Sequence, residues 1–129
     1  FMLSRVIWPG NSELPDASAS QMPYFIFLET AESLMFGLGV AFLIFGYPLL
    51  KNIPKEKKKS FTLNYISFVW LFVSWWPHGN LHRTYGLNYN AVLIIDYGFH
   101  LTMMIATLIL AYCFISLLKN KVDFRKKAR

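Results

Sequence analysis

The stretch FTLNYISFVWLFVSWW, residues 61–76, decides how this chain folds. It carries no charged residue and lies between Lys55, Lys57, Lys58 and Lys59 on one side and Pro77-His78 on the other. A helix needs about 20 mainly apolar residues to cross the hydrocarbon of a bilayer. The stretch reaches that length only by drawing on Ser60 and Pro77, which sets the segment at 60–77. Longer apolar segments flank it at 23–50 and 91–118, and both end at lysine. They cannot be joined unless the middle segment crosses as well.

Composition agrees with a membrane-embedded unit. The 129 residues are 55% hydrophobic and 18% aromatic, with a mean hydropathy of +0.37. That is too apolar for a small soluble domain and too short for two domains. Lipid offers no partner to backbone N–H and C=O groups, so each span should be helical despite its many β-branched and aromatic residues. The expected fold class is all-α, an integral membrane domain of three transmembrane helices over residues 23–118.

Basic residues set the orientation. Lys51, Lys55, Lys57, Lys58 and Lys59 fill the first loop, and Lys119, Lys121, Arg125, Lys126, Lys127 and Arg129 fill the tail, leaving Arg5 and Arg83 opposite. The positive-inside rule places the first loop and the basic tail, 119–129, in the cytoplasm and the N-terminus outside. The net charge of +6 therefore reports topology and contact with anionic lipid. No recognition element stands beside the basic runs, so nucleic acid is not an expected partner. Residues 1–22, with Pro9, Gly10, Pro15 and Asp16-Ala17-Ser18-Ala19-Ser20, read as an external segment. The initial Phe1 is consistent with a removed targeting peptide or with a start that is simply incomplete. Cys113 is the only cysteine, which excludes an intrachain disulfide or a thiolate cluster and leaves it as a small apolar filler.

The functional clue is a level. At ~1.5 Å per residue, Glu32 stands about 27 Å above the lysine-marked end of its helix, His78 about 28 Å and His100 about 27 Å. Glu29 and Asp96 lie roughly one turn further out, and His82 in the following loop can fold back over them. Glu29 with Glu32 and Asp96 with His100 share helix faces. Pro77 and Gly79 argue against a continuous helix through His78-Gly79-Asn80-Leu81-His82-Arg83, which reads as a structured turn. Ionisable groups at membrane depth need partners or a purpose. Imidazole nitrogens with carboxylate oxygens suit copper, zinc, iron or manganese, so His78, His82, His100, Asp96, Glu32 and Glu29 are the candidate metal ligands. A plainer account is a hydrogen-bond and ion-pair network in which Asp96 pairs with Arg83 and His78 caps the second helix; a proton or quinone path is a third. Haem is a weaker fit, with His78 or His100 as axial ligand. Trp70, Trp75, Trp76, Tyr85, Tyr89 and Tyr97 read as an outer interfacial belt.

The run from His78-Gly79 through His82 and Gly86 to Ile94-Ile95-Asp96-Tyr97 resembles the three-helix membrane-anchor subunits of succinate dehydrogenase. That resemblance implies haem b on His78 or His82, Asp96 and Tyr97 at a quinone pocket, and the mitochondrial inner membrane. The spacing between histidine and Asp-Tyr is longer here, and the lysines put the cluster on the opposite side of the membrane.

Three helices enclose one narrow seam. Gly37, Gly39, Ala41 and Gly46 give a small-residue strip for close helix approach. The resulting expectation is a multi-pass accessory subunit of a larger complex in the cell membrane, packed against other membrane subunits. Copper monooxygenases of the ammonia or methane type and respiratory complexes are the redox assemblies in view. The rival is a self-sufficient enzyme in which zinc or iron on His78, His82 and His100 activates water, with Glu32 or Asp96 as base.

Overall fold

The computed structural model describes residues 18–85 and 88–127, the side chains of 120–127 excepted. The expected external segment lies outside the described residues over 1–17. Gly86, Arg129 and the side chains of Lys121, Arg125, Lys126 and Lys127 lie outside them too.

All regular structure among the described residues is helical. Helix α1 (Met22–Gly46) tightens into a 3₁₀ segment (Tyr47–Asn52) with Pro48 in its first turn, followed by Ile53 in extended conformation. Helix α2 (Lys55–Tyr85) follows. Helix α3 (Tyr89–Ile95) is capped by Asn88, whose side chain accepts from the Ala91 N–H at 3.2 Å, satisfying one of the orphan donors of a first turn. It runs through a π-helical turn (Asp96–Leu101) into α4 (Thr102–Lys127). Two stretches, Met22–Asn52 and Tyr89–Lys119, are long and apolar enough to cross a membrane. Helix α2, with lysines in its first turns and His and Arg in its last, is more polar.

Helix α2 corrects the expected turn over residues 78–83. It continues through Pro77 and Gly79 to Tyr85. Proline removes one N–H and crowds the preceding turn, yet the helix persists, and polar side chains beyond it bond back to the backbone. Asn80 Nδ2 donates to the Trp76 carbonyl at 2.7 Å and Thr84 Oγ1 to the Asn80 carbonyl at 2.9 Å. Breaking the helix in apolar surroundings would leave backbone groups without partners, a larger cost than one missing bond. His82 is thereby fixed on a helix and is not part of a loop.

The expected closed bundle is also corrected. Helix α2 packs on α1 along one side and on α4 along the other, while α1 and α4 make no comparable contact with each other. The arrangement is an open layer with α2 in the middle, so the core is thin: Leu50, Val69, Ile95 and Ala106 are its buried apolar residues. At the α1–α2 contact, a Cβ on Gly39 would stand 2.6 Å from Val73 Cγ1 and 2.9 Å from the Val73 backbone nitrogen. Only glycine permits that approach. Tyr65 reaches across lower down and donates to the Phe42 and Leu43 carbonyls at 2.8 and 3.0 Å. A Cβ on Gly37 would meet nothing within 4 Å, so the strip divides: Gly39 and Gly46 serve packing within the chain, and Gly37 faces outward.

Polar links tie α2 to α4. Trp70 Nε1 donates to Thr102 Oγ1 at 3.0 Å, and Asn64 Nδ2 donates to Cys113 Sγ at 3.2 Å. Cys113 is thus a hydrogen-bond acceptor, more than filler. The aromatic belt divides in the same way. Trp70 stacks on Phe99 at 5.8 Å and Trp76 packs on Phe36 at 5.0 Å, both between helices, whereas Tyr85, Tyr89 and Tyr97 are exposed.

Candidate metal centre

His78 and His82 stand one turn apart on α2, and His100 projects from the π turn that opens α4. Their rings converge. Centroids of His78 and His100, and of His78 and His82, are 4.7 Å apart, and those of His82 and His100 are 5.5 Å apart. One nitrogen from each ring falls within 4.8 Å of the others, close enough to hold a metal ion.

A hydrogen-bonded chain runs through the group. Asp96 Oδ1 is 2.7 Å from His100 Nδ1, and His100 Nε2 is 2.6 Å from His78 Nε2. An ionised carboxylate only accepts, so His100 carries its proton on Nδ1. In the neutral ring Nε2 is then an acceptor, and His78 Nε2–H donates to it. A carboxylate on one ring nitrogen and an unprotonated Nε2 on the other form the arrangement that fixes the tautomer and orientation of metal-binding histidines. Zinc–nitrogen bonds of about 2.0–2.1 Å in a tetrahedron put ligand nitrogens about 3.3 Å apart. Holding an ion would require the His78–His100 pair to part by roughly 0.7 Å, a small ring rotation, with the His78 proton on Nδ1.

Thr102 bonds back onto the π turn that carries Asp96 and His100. Its hydroxyl lies 2.6 Å from the Gly98 carbonyl and 3.1 Å from that of Phe99, while accepting from Trp70. Phe99 in the same turn packs against both Trp70 and His78 at 5.8 Å. Single π turns recur at functional sites.

The remaining candidates take other places. Glu29 pairs with Arg83 at 3.7 Å, so the Asp96–Arg83 pairing of the plainer account does not form, and His78 faces His100 without capping a helix end. The Glu32 carboxylate lies against Gly79, where a Cβ would approach its oxygens to 2.5 and 2.7 Å. It is therefore beside α2 one residue from His78, yet outside the three-nitrogen group. Tyr97 is exposed and lines a shallow groove of about 310 Å³ with Leu93, Asp96, His100, Leu101 and Met104. Sequence reasoning missed two residues. Gly79, dismissed as a helix breaker, is the seat of Glu32. Thr102 could have been flagged as a hydroxyl two residues past a histidine in an otherwise apolar helix.

The likeness to succinate dehydrogenase anchors rests only on the residues that suggested it: no family model, curated protein or solved structure matches this chain.

Proposed function

We propose that this chain is a three-pass membrane protein that binds one transition-metal ion through His78, His82 and His100 and works as a small subunit of a larger membrane redox complex. The observation that carries the metal reading is the convergence of three imidazole nitrogens within 4.8 Å, with one of the rings already oriented by Asp96. Imidazole donors suit zinc, copper and iron, and a site without carboxylate in its ring is a poor match for magnesium or calcium. Copper or zinc is the expected occupant.

Membership of a complex is supported by the open layer. With α1 and α4 apart, large apolar side chains such as Phe27, Phe45, Leu108 and Tyr112 point outward along both helices, a surface suited to lipid and to neighbouring helices. In the proposed topology α2 is the middle crossing, its lysine-rich start lies in the cytoplasm against anionic lipid, and the histidines sit near the outer surface of the cell membrane. Copper monooxygenases of the ammonia or methane type and respiratory complexes are the assemblies to test.

The test is native isolation of the untagged protein in mild detergent, with metals quantified and co-purifying chains identified by mass spectrometry on one band. Migration with redox subunits and a metal that disappears in His100→Ala supports the proposal. Migration alone with no metal in either form overturns it.

A further inference from the structure

We infer that the metal held by His78, His82 and His100 keeps an open coordination position that takes a small exogenous donor, either water or a small anion. The inference rests on the metal reading above and adds what that metal can bind. Three carboxylates surround the histidines, and each is held elsewhere. Asp96 is engaged by His100 Nδ1 at 2.7 Å, on the side of the ring away from His78. Glu29 is paired with Arg83 at 3.7 Å. Glu32 lies in the seat that Gly79 opens on the opposite flank of α2. Cys113, the only cysteine of the chain, is bound to Asn64 about 20 Å along the helix from His100. Among the described residues no fourth His, Cys, Asp or Glu donor joins the three nitrogens within 4.8 Å.

Three nitrogen ligands leave a tetrahedral ion one position short. Closed structural sites fill all four positions from the protein, whereas three-histidine sites that keep the fourth for water or substrate are the reactive kind. Access is available: the His100 side chain is 43% exposed and that of Asp96 48%, and His78 and His82 are half-buried. A metal here keeps a positive charge that three neutral imidazoles do not cancel, so the open position favours anions and lowers the pKa of bound water.

The experiment loads the full chain in lipid nanodiscs with Cu²⁺ and titrates sodium azide, reading the near-ultraviolet charge-transfer band and the copper electron paramagnetic resonance spectrum. Expected is a saturable azide band that reaches one azide per copper, together with a shift in the copper spectrum. Stoichiometric copper without any azide band overturns the inference while leaving the metal site standing. Absence of copper binding removes the metal reading itself, and the inference with it. A second arm uses Glu32→Gln. If azide binds with affinity unchanged within about twofold, Glu32 is not a hidden fourth ligand; a band seen only in the variant shows that Glu32 closes the site and overturns the inference.

Discussion

His78 Nε2 and His100 Nε2 lie 2.6 Å apart, bridging α2 and the π turn through one shared hydrogen. The same two atoms that hold the helices together without metal are the atoms a metal would use. His100 is also the ring that Asp96 orients, so it occupies the centre of the chain of contacts and His82 its edge. His100→Ala should therefore abolish stoichiometric metal binding, and His82→Ala should weaken it less. Dialysis against buffered Zn²⁺ or Cu²⁺ followed by elemental analysis makes the comparison, and equal, negligible losses in both variants would sink the site.

Asp96→Asn keeps the shape of the side chain and removes its charge. Outer partners of metal-binding histidines are typically worth 10–100-fold in affinity. The expected result is a loss of metal affinity in that range with helix content unchanged by circular dichroism. An affinity equal to that of the parent protein would show that Asp96 does not act through His100.

Metal binding requires neutral imidazoles, so protons compete with the ion. Burial and the neighbouring imidazoles hold His78 down at about 4 and push His82 below the ordinary histidine value. Stabilisation by metal follows binding to the folded state. The rise in Tm on adding Zn²⁺ should therefore be full at neutral pH and be lost as pH falls toward about 4, which differential scanning calorimetry on nanodiscs can follow. A metal-induced rise that persists undiminished well below about pH 4 would point to ligands other than histidine.

Three glycines in helices should respond differently to alanine. Gly39→Ala drives a Cβ into Val73 backbone and side chain, and overpacking of this kind costs about 1–3 kcal/mol. Gly37→Ala meets open space and should gain roughly 0.5–1 kcal/mol from helix propensity. Gly79→Ala meets only the end of the flexible Glu32 side chain, which can swing away. Its stability should stay near that of the parent, while the Glu32 carboxylate moves. Denaturation in mixed micelles ranks the three, and a Gly39→Ala protein as stable as the parent would contradict the close α1–α2 approach.

Thr102→Val removes the acceptor for Trp70 and the hydroxyl on the Gly98 and Phe99 carbonyls. Leaving the Trp70 N–H unpaired costs about 1–3 kcal/mol. Because Thr102 steadies the turn that carries His100, metal affinity should fall together with stability. Thr102→Ser, which keeps the hydroxyl, should restore both. Failure of serine to do so would mean the methyl group, not the hydrogen bonds, supports the turn.

Much of the site was legible in the sequence because rise per residue is a fixed property of helices. Counting from lysine-marked ends set His78 and His100 at one level, and the structure joins them directly. Four-residue spacing likewise paired Asp96 with His100. The all-helical class followed from apolar length. What failed was local. Pro77 and Gly79 are breakers by propensity, but a propensity does not weigh the one bond that proline removes against the several backbone groups a break would leave without partners. The π turn has no periodic signature, since it shifts the register within a single turn. Glu29 and Glu32 were placed with the histidines because height along a helix carries no azimuth relative to neighbours. Both proved to face α2 on the side of Arg83 and Gly79. The open layer was missed because periodicity shows neither which helix is central nor whether the outer two meet.

Helix α2 is touched on both flanks, and the outer helices make far less contact with each other than either makes with α2. Energetic perturbations on α1 and α4 thus couple chiefly through the middle helix, and changes without common partners sum independently. The chain behaves as two separable half-interfaces arranged in series. Gly39→Ala combined with Thr102→Val should show the sum of the two single losses to within about 0.5 kcal/mol, so each flank can drift in sequence without reference to the other, while α2 answers to both.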